Sequence, residues 1–206
     1  MAGESLSDYE HDAVDSVERL REVYGEPNRL VIDKVADRLD ATTARFVAAS
    51  SLVIVGSQGA DGRLDVSPRG GPPGFVRVLG ERLLAMPDAK GNRRLDTLRN
   101  VAETGRVGML FLVPGRPDTI RVNGRALISM RPELLERMPT EGGRPNAVLL
   151  VEPREVFMHC PRALNFSGAW KPEEWLAPGA APSGGEMLAA RMAELGRDLT
   201  AAHAEP

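Results

Sequence analysis

One cysteine in 206 residues, Cys160, leaves no partner for an internal disulfide and fits a reducing compartment, so a cytoplasmic location is expected. Cys160 also lacks catalytic company. On a strand its neighbour His159 points the opposite way, so Cys160 is expected to be a small buried apolar residue. Positive charge is not in excess either. With 26 Lys and Arg against 29 Asp and Glu the net charge is −3, which argues against a nucleic-acid partner. No apolar run approaches membrane-spanning length. The opening MAGESLSDYEHD is too acidic and polar to read as a secretory or transit peptide. His11, His159 and His203 lie far apart, and without HxxxH or CxxC spacing no metal site is expected. GxSxG, the Walker pattern and GxGxxG after the first strand are absent too, so hydrolase chemistry is not indicated.

What is present is enough for one well-buried domain with decorations. Weak helical patterns fill residues 1–24, ended by Gly25-Glu26-Pro27-Asn28. A short amphipathic helix is expected through Val31, Val35 and Leu39, and another over residues 41–49 with Phe46 and Val47 inward. From Ser51 the pattern changes to strands. Residues 51–57 and 63–68 flank a turn at residues 58–62, and residues 75–78 and 82–86 flank Gly80-Glu81, giving two hairpins. Residues 107–113 are apolar on both faces and read as a central strand. Residues 119–128 alternate with period 2, residues 132–138 form a helical turn or two, and residues 146–160 hold a long strand interrupted near Pro153. A Pro/Gly/Ala-rich stretch with Trp170 and Trp175 follows, then a helical period over 187–199. The inventory predicts a mainly β chain with flanking helices, a six- to seven-stranded antiparallel barrel that removes sheet edges. Three parts are expected: a helical extension over 1–49, the barrel with its site segment over 50–176, and a linker and helix over 177–206.

Three stretches carry candidate chemistry. Residues 85–100 read as a strand end, a Pro/Gly loop and a helix capped by Asn92, with Arg93 and Arg94 in its first turn and Lys90 nearby. Cations there oppose the helix dipole unless an anion sits on the helix N-terminus; two solvated surface arginines are the plainer reading. Asp65-Val66-Ser67-Pro68-Arg69-Gly70-Gly71 offers a hydroxyl, a guanidinium and close backbone access, as an ordinary strand exit also does. Residues 159–170 gather His159, Arg162, Asn165 and Trp170. With aromatics at only 4%, a tryptophan in such a loop is expected to cap something rather than fill a core.

The order Asp-Val-Ser-Pro-Arg-Gly (65–70), Gly-Phe-Val (74–76), Gly-Asn-Arg-Arg-Leu-Asp (91–96) with Asn100, Val-Gly-Met-Leu-Phe-Leu-Val-Pro-Gly (107–115), Ile-Arg-Val-Asn-Gly-Arg-Ala (120–126) and His-Cys-Pro-Arg-Ala-Leu (159–164) before Trp170 resembles the pyridoxamine 5′-phosphate oxidase-like flavin-binding proteins. These are split β-barrels, and the resemblance spans roughly residues 50–176. It implies a homodimer holding FMN at the subunit interface and acting as an oxidoreductase on a small molecule. By the same resemblance Asn92, Arg93 and Arg94 hold the flavin phosphate. Val66, Ser67, Pro68 and Arg69, with Ala85 and Met86, line the ring, and the partner's segment ending at Trp170 closes the site. Arg69, Arg162 and Asn165 become candidate substrate contacts. The chain continues Lys171-Pro172-Glu173-Glu174-Trp175 and lacks the arginine-containing ending with which true pyridoxamine-phosphate oxidases hold substrate. The resemblance is therefore to the branch of FMN-dependent enzymes rather than to vitamin B6 oxidases. A deazaflavin-dependent reductase and a non-catalytic flavin store or sensor are the alternatives on the same fold.

Overall fold

The computed structural model describes residues 3–88 and 91–197. Ala89, Lys90 and the expected helical residues beyond 197 lie outside the described residues. The chain divides into two compact units, Met1–Cys160 and Pro161–Pro206.

The first unit is built on one antiparallel sheet of seven strands in the order β2-β1-β5-β6-β7-β4-β3. They are β1 (Leu52–Gln58), β2 (Leu64–Gly70), β3 (Arg77–Gly80), β4 (Leu83–Pro87), β5 (Arg106–Leu112), β6 (Thr119–Ser129) and β7 (Val148–His159). Both expected hairpins form, β1 with β2 and β3 with β4. The sheet is not closed: β2 and β3 remain its two edges, as in a split barrel. Period-2 burial on β1 and β5 turns Val53, Val55, Met109 and Phe111 into one core with Val122 and Leu149. The outer face of β5 carries Gly108 and Leu110 half-buried and Leu112 buried, so that face is only partly covered.

Helices close the open ends of the sheet. The helix α3 (Ala41–Ala49) is capped by the Asp40 carboxylate, which accepts from Thr42 N and Thr43 N, and it buries Val47. The helix α4 (Asp96–Thr104) buries Thr97, Asn100 and Val101, the i, i+3, i+4 stripe that faces β1, β2, β5 and β6. Gly105 ends it in the left-handed conformation. The short α5 (Pro132–Arg137) covers the other side of β4, where Leu135 and Met138 pack on Ala85 and Val148. Ahead of α3, only Arg29–Asp33 (α2) is helical in the stretch expected to be an amphipathic helix. Val31, Ile32 and Val35 are exposed and Leu39 alone is buried, past the helix end. That segment is fixed instead by an Ala36–Val156 bridge and an Arg82–Asp37 ion pair at 2.6 Å. The helix α1 (Val17–Tyr24) begins at the Ser16 cap and ends at Gly25, whose φ is 72°.

The interruption in the last strand is a bulge. Asn123 faces Glu155 but Gly124 faces Pro153, leaving Arg154 as the extra residue. Gly124 is required there, because a Cβ would lie 2.2 Å from the Glu152 carbonyl oxygen.

The second unit contains α6 (Arg162–Phe166), a short 3₁₀ turn at Pro172–Glu174 and α7 (Gly184–Glu194), opened by a Ser183–Glu186 capping box. Within it Trp175 Nε1 donates to Ala169 O at 3.3 Å. Cys160, expected to be buried, is exposed, because it lies just past the end of β7 and no longer shares the pleat.

Candidate functional site

The pleat of β2 divides the four residues expected to line a ring. Val66 and Pro68 share the outward face with Leu64, while Ser67 and Arg69 share the opposite face with Asp65. On that inner face Ser67 Oγ donates to Asp65 Oδ1 at 2.8 Å, and Thr97 Oγ1 of α4 donates to Asp65 Oδ2 at 2.5 Å. Arg69 Nη2 donates to the same Thr97 Oγ1 at 3.1 Å. Asn100 Nδ2 adds a buried hydrogen bond to Ser57 Oγ at 3.0 Å. The carboxylate, the hydroxyls and the amide therefore lock β2 to α4 and fix the guanidinium of Arg69. Sequence spacing did not reveal this network, since Asp65 and Thr97 lie on separate elements.

Arg69 opens into a cleft of about 770 Å³, lined with it by Gly71, Phe75, Asp88, Met138 and Glu141. The cleft lies at the split in the sheet, between the exit of β2 on one side and Arg77 of β3 and Pro87 of β4 on the other. Its size is that of a small-molecule or cofactor pocket. Arg77 also lines it, and neither arginine has a carboxylate within ion-pair distance among the described residues. Gly71 sits so close to Phe75 that a Cβ would lie 2.7 Å from the phenylalanine Cβ. Burial pushes the Asp88 carboxyl above its ordinary value, and the charge of Arg69 opposes that shift. Asp88 and residues 138–142 were not foreseen as site residues.

Ala85 and Met86 do not present side chains to the cleft. Ala85 is buried against α5 and Met86 lies in the main core. What β4 offers is backbone. Its pairing with β3 ends at Ala85–Arg77, while pairing with β7 continues to Pro87–Val148, so beyond Ala85 one edge of β4 has no strand partner.

The expected helix start is corrected. Asn92 does not cap α4 and neither arginine lies in its first turn; the helix begins at Asp96, with Leu95 at the cap position. Asn92 caps a turn instead, its Oδ1 accepting from Arg94 N at 3.1 Å. Asp96 takes the first-turn position that a helix dipole favours, so no cation opposes the dipole there. Another feature marks the loop. Arg93 and Leu95 both have positive φ, 62° and 59°, the two non-glycine cases among the described residues. Such strain costs about 1–3 kcal/mol per residue and collects at ligand clamps and active sites. The Arg94 guanidinium is paired with Asp96, whereas Arg93 is exposed with no ion-pair partner among the described residues.

Arg162, Asn165 and Trp170 belong to the second unit. Arg162 and Asn165 are exposed on α6, and Trp170 is half-buried with a covered Nε1 that has no hydrogen-bond partner. An open groove of about 860 Å³ lies on the outward face of the sheet, over Gly56, Leu64, Val66, Gly108, Asn123 and Arg125.

A family model described as pyridoxamine 5′-phosphate oxidase matches residues 39–160, from the segment before α3 to the end of the sheet. The chain belongs to the pyridoxamine 5′-phosphate oxidase family. Proteins of this family typically bind a flavin and are often dimers. No curated protein matches the sequence. Among solved structures, Group A Streptococcus HupZ is 17% identical with a TM-score of 0.48, over 58% of this chain and 93% of its own. A Lactobacillus delbrueckii protein provisionally described as a pyridoxamine 5′-phosphate oxidase is 21% identical with a TM-score of 0.47, over 59% of this chain and 95% of its own. An F420 reductase is 14% identical with a TM-score of 0.42, over 57% of this chain and 98% of its own.

Proposed function

We propose that this member of the pyridoxamine 5′-phosphate oxidase family is an FMN-dependent oxidoreductase acting on a small molecule. The observation that carries the reading is the cleft at the split of the sheet. A flat group there meets the glycine-rich exit of β2 on one side and the unpaired backbone edge of β4 on the other. The residues fit a flavin monophosphate. Arg69 and Arg77 line the cleft without carboxylate partners among the described residues, Gly91 reaches its rim, and the strained Arg93 lies two residues further on. Arg93 is the phosphate ligand we favour. Arg94 must first leave Asp96, and Asn92 shapes the turn that presents both. Arg69 is held by Thr97 and positions the ring or substrate, while Ala85 and Met86 act through backbone only. A bound flavin supplies two-electron chemistry at its ring; the protein binds, orients and keeps out water.

The functional unit in this reading is a homodimer. Leu64 and Val66 stand 77% and 71% exposed on an edge strand; across the sheet Val66 is in register with Gly56 and Gly108, and Pro68 with Ile54 and Leu110. A contiguous apolar face of this kind marks a protein interface. The partner's Arg162, Asn165 and Trp170 would complete the site.

Purified protein loaded with FMN tests the reading. A flavin spectrum that bleaches with NADH, NADPH or a reduced deazaflavin is the expected result. Bound flavin that no such donor reduces favours a flavin-binding module without turnover. Preference for deazaflavin over FMN favours the reductase reading, and uptake of neither overturns all three.

A further inference from the structure

A second charged cluster lies apart from the cleft. On β6 and β7, Arg121 faces Phe157 and Thr119 faces His159. The Arg121 guanidinium carbon is 5.3 Å from the Phe157 ring centre, Lys34 Nζ is 5.6 Å from it, and the His159 ring centre is 5.2 Å away. Lys34, which follows α2, is fixed by donating to Met158 O at 2.9 Å. Arg121, Lys34 and Phe157 are half-buried, where an unpaired charge is costly. No carboxylate lies within ion-pair distance of Lys34 or Arg121 among the described residues. The nearest acids on the same elements are engaged elsewhere, Glu155 with Asn123 and Asp33 with Arg29. His159 Nε2 is covered and has no hydrogen-bond partner.

We propose that Lys34, Arg121 and His159, gathered around Phe157, form a binding site for an oxyanion. Two half-buried cations without counter-charges attract the anion, and the imidazole supplies an unused hydrogen-bonding group beside them. Phe157 holds both cations near its ring through cation–π contacts rather than through carboxylates, which leaves their donors available. None of the four residues lines the Arg69 cleft or the outward groove, so the site does not depend on the flavin reading.

The imidazole reports occupancy. Burial, Arg121 and Lys34 together hold His159 below its ordinary value, and Thr119 opposite it is uncharged. An anion seated beside these cations offsets their effect and raises the His159 value. The experiment follows the imidazole resonances of the full chain across pH, assigned with His159→Gln, in sodium chloride and then in sodium sulfate or sodium acetate at matched ionic strength. Sulfate does not itself titrate in this range. A rise of about one pH unit at His159, absent at His11 and His203, is expected. A larger effect of sulfate points to a phosphate-like ligand, and a larger effect of acetate to a carboxylate. The Lys34→Gln, Arg121→Gln double variant should show a higher His159 value without added anion and little further response to sulfate. The proposal is overturned if His159 shifts no more than the other two histidines, or if the double variant responds as the parent does.

Discussion

Asp88 is a carboxylate at a cleft wall whose proton is held more tightly than in the unfolded chain. Its contribution to stability is therefore full below the ordinary carboxylate range and is lost as pH rises through the raised folded value. Asp88→Asn should be more stable than the parent at neutral pH, with a flatter acid limb in urea denaturation followed across pH. Identical limbs would contradict the burial argument. Thr97 is the residue on which the inner face of β2 depends, since one hydroxyl serves both Asp65 and Arg69. Thr97→Val should cost about 1–3 kcal/mol in denaturant unfolding, and Thr97→Ser much less. Gly124→Ala places a methyl on the Glu152 carbonyl and should cost about 3 kcal/mol or more, unless the bulge re-registers.

At the scale of elements, the strands were legible because β-branched runs and period-2 alternation are local signals. The hairpins at residues 58–62 and 80–81, the α3 helix and the interruption of the last strand near Pro153 all follow from neighbours in sequence; that the interruption is a bulge opposite Gly124 does not. What was not legible depended on tertiary partners. Val31, Val35 and Leu39 have helical spacing, but the chain there is pinned to β7 through Ala36, and the helix stops at Asp33. Asn92 is a good cap by type, yet it caps a turn, because two left-handed residues delay the helix to Asp96. Asp88 lies within the 85–100 stretch, but only burial gives it an unusual proton affinity. The Lys34–Arg121–His159 cluster joins three distant segments and has no sequence signature. The outward face of β2 also belongs to this scale. Val66→Glu should leave the monomer folded, because the side chain is exposed, and should weaken self-association measured by sedimentation. An unchanged dimer would place the interface elsewhere.

For the whole molecule, the proposed function rests on the split between β2 and β3. The open edges β2 and β3 leave room for the cleft beside Arg69, and the short β3 leaves β4 unpaired on that side beyond Ala85. Membership of the pyridoxamine 5′-phosphate oxidase family rests on the 39–160 match, which covers the sheet. The proposed FMN chemistry rests on the cleft and on the strained Arg93 loop beside it. The most direct test is a titration of FMN and riboflavin into the parent protein, Arg93→Ala and Arg94→Ala, read by flavin fluorescence. The account predicts that Arg93→Ala weakens FMN by about 1.5–3 kcal/mol, that Arg94→Ala weakens it less, and that riboflavin responds to neither. Equal losses for FMN and riboflavin, or full FMN affinity in Arg93→Ala, would contradict it.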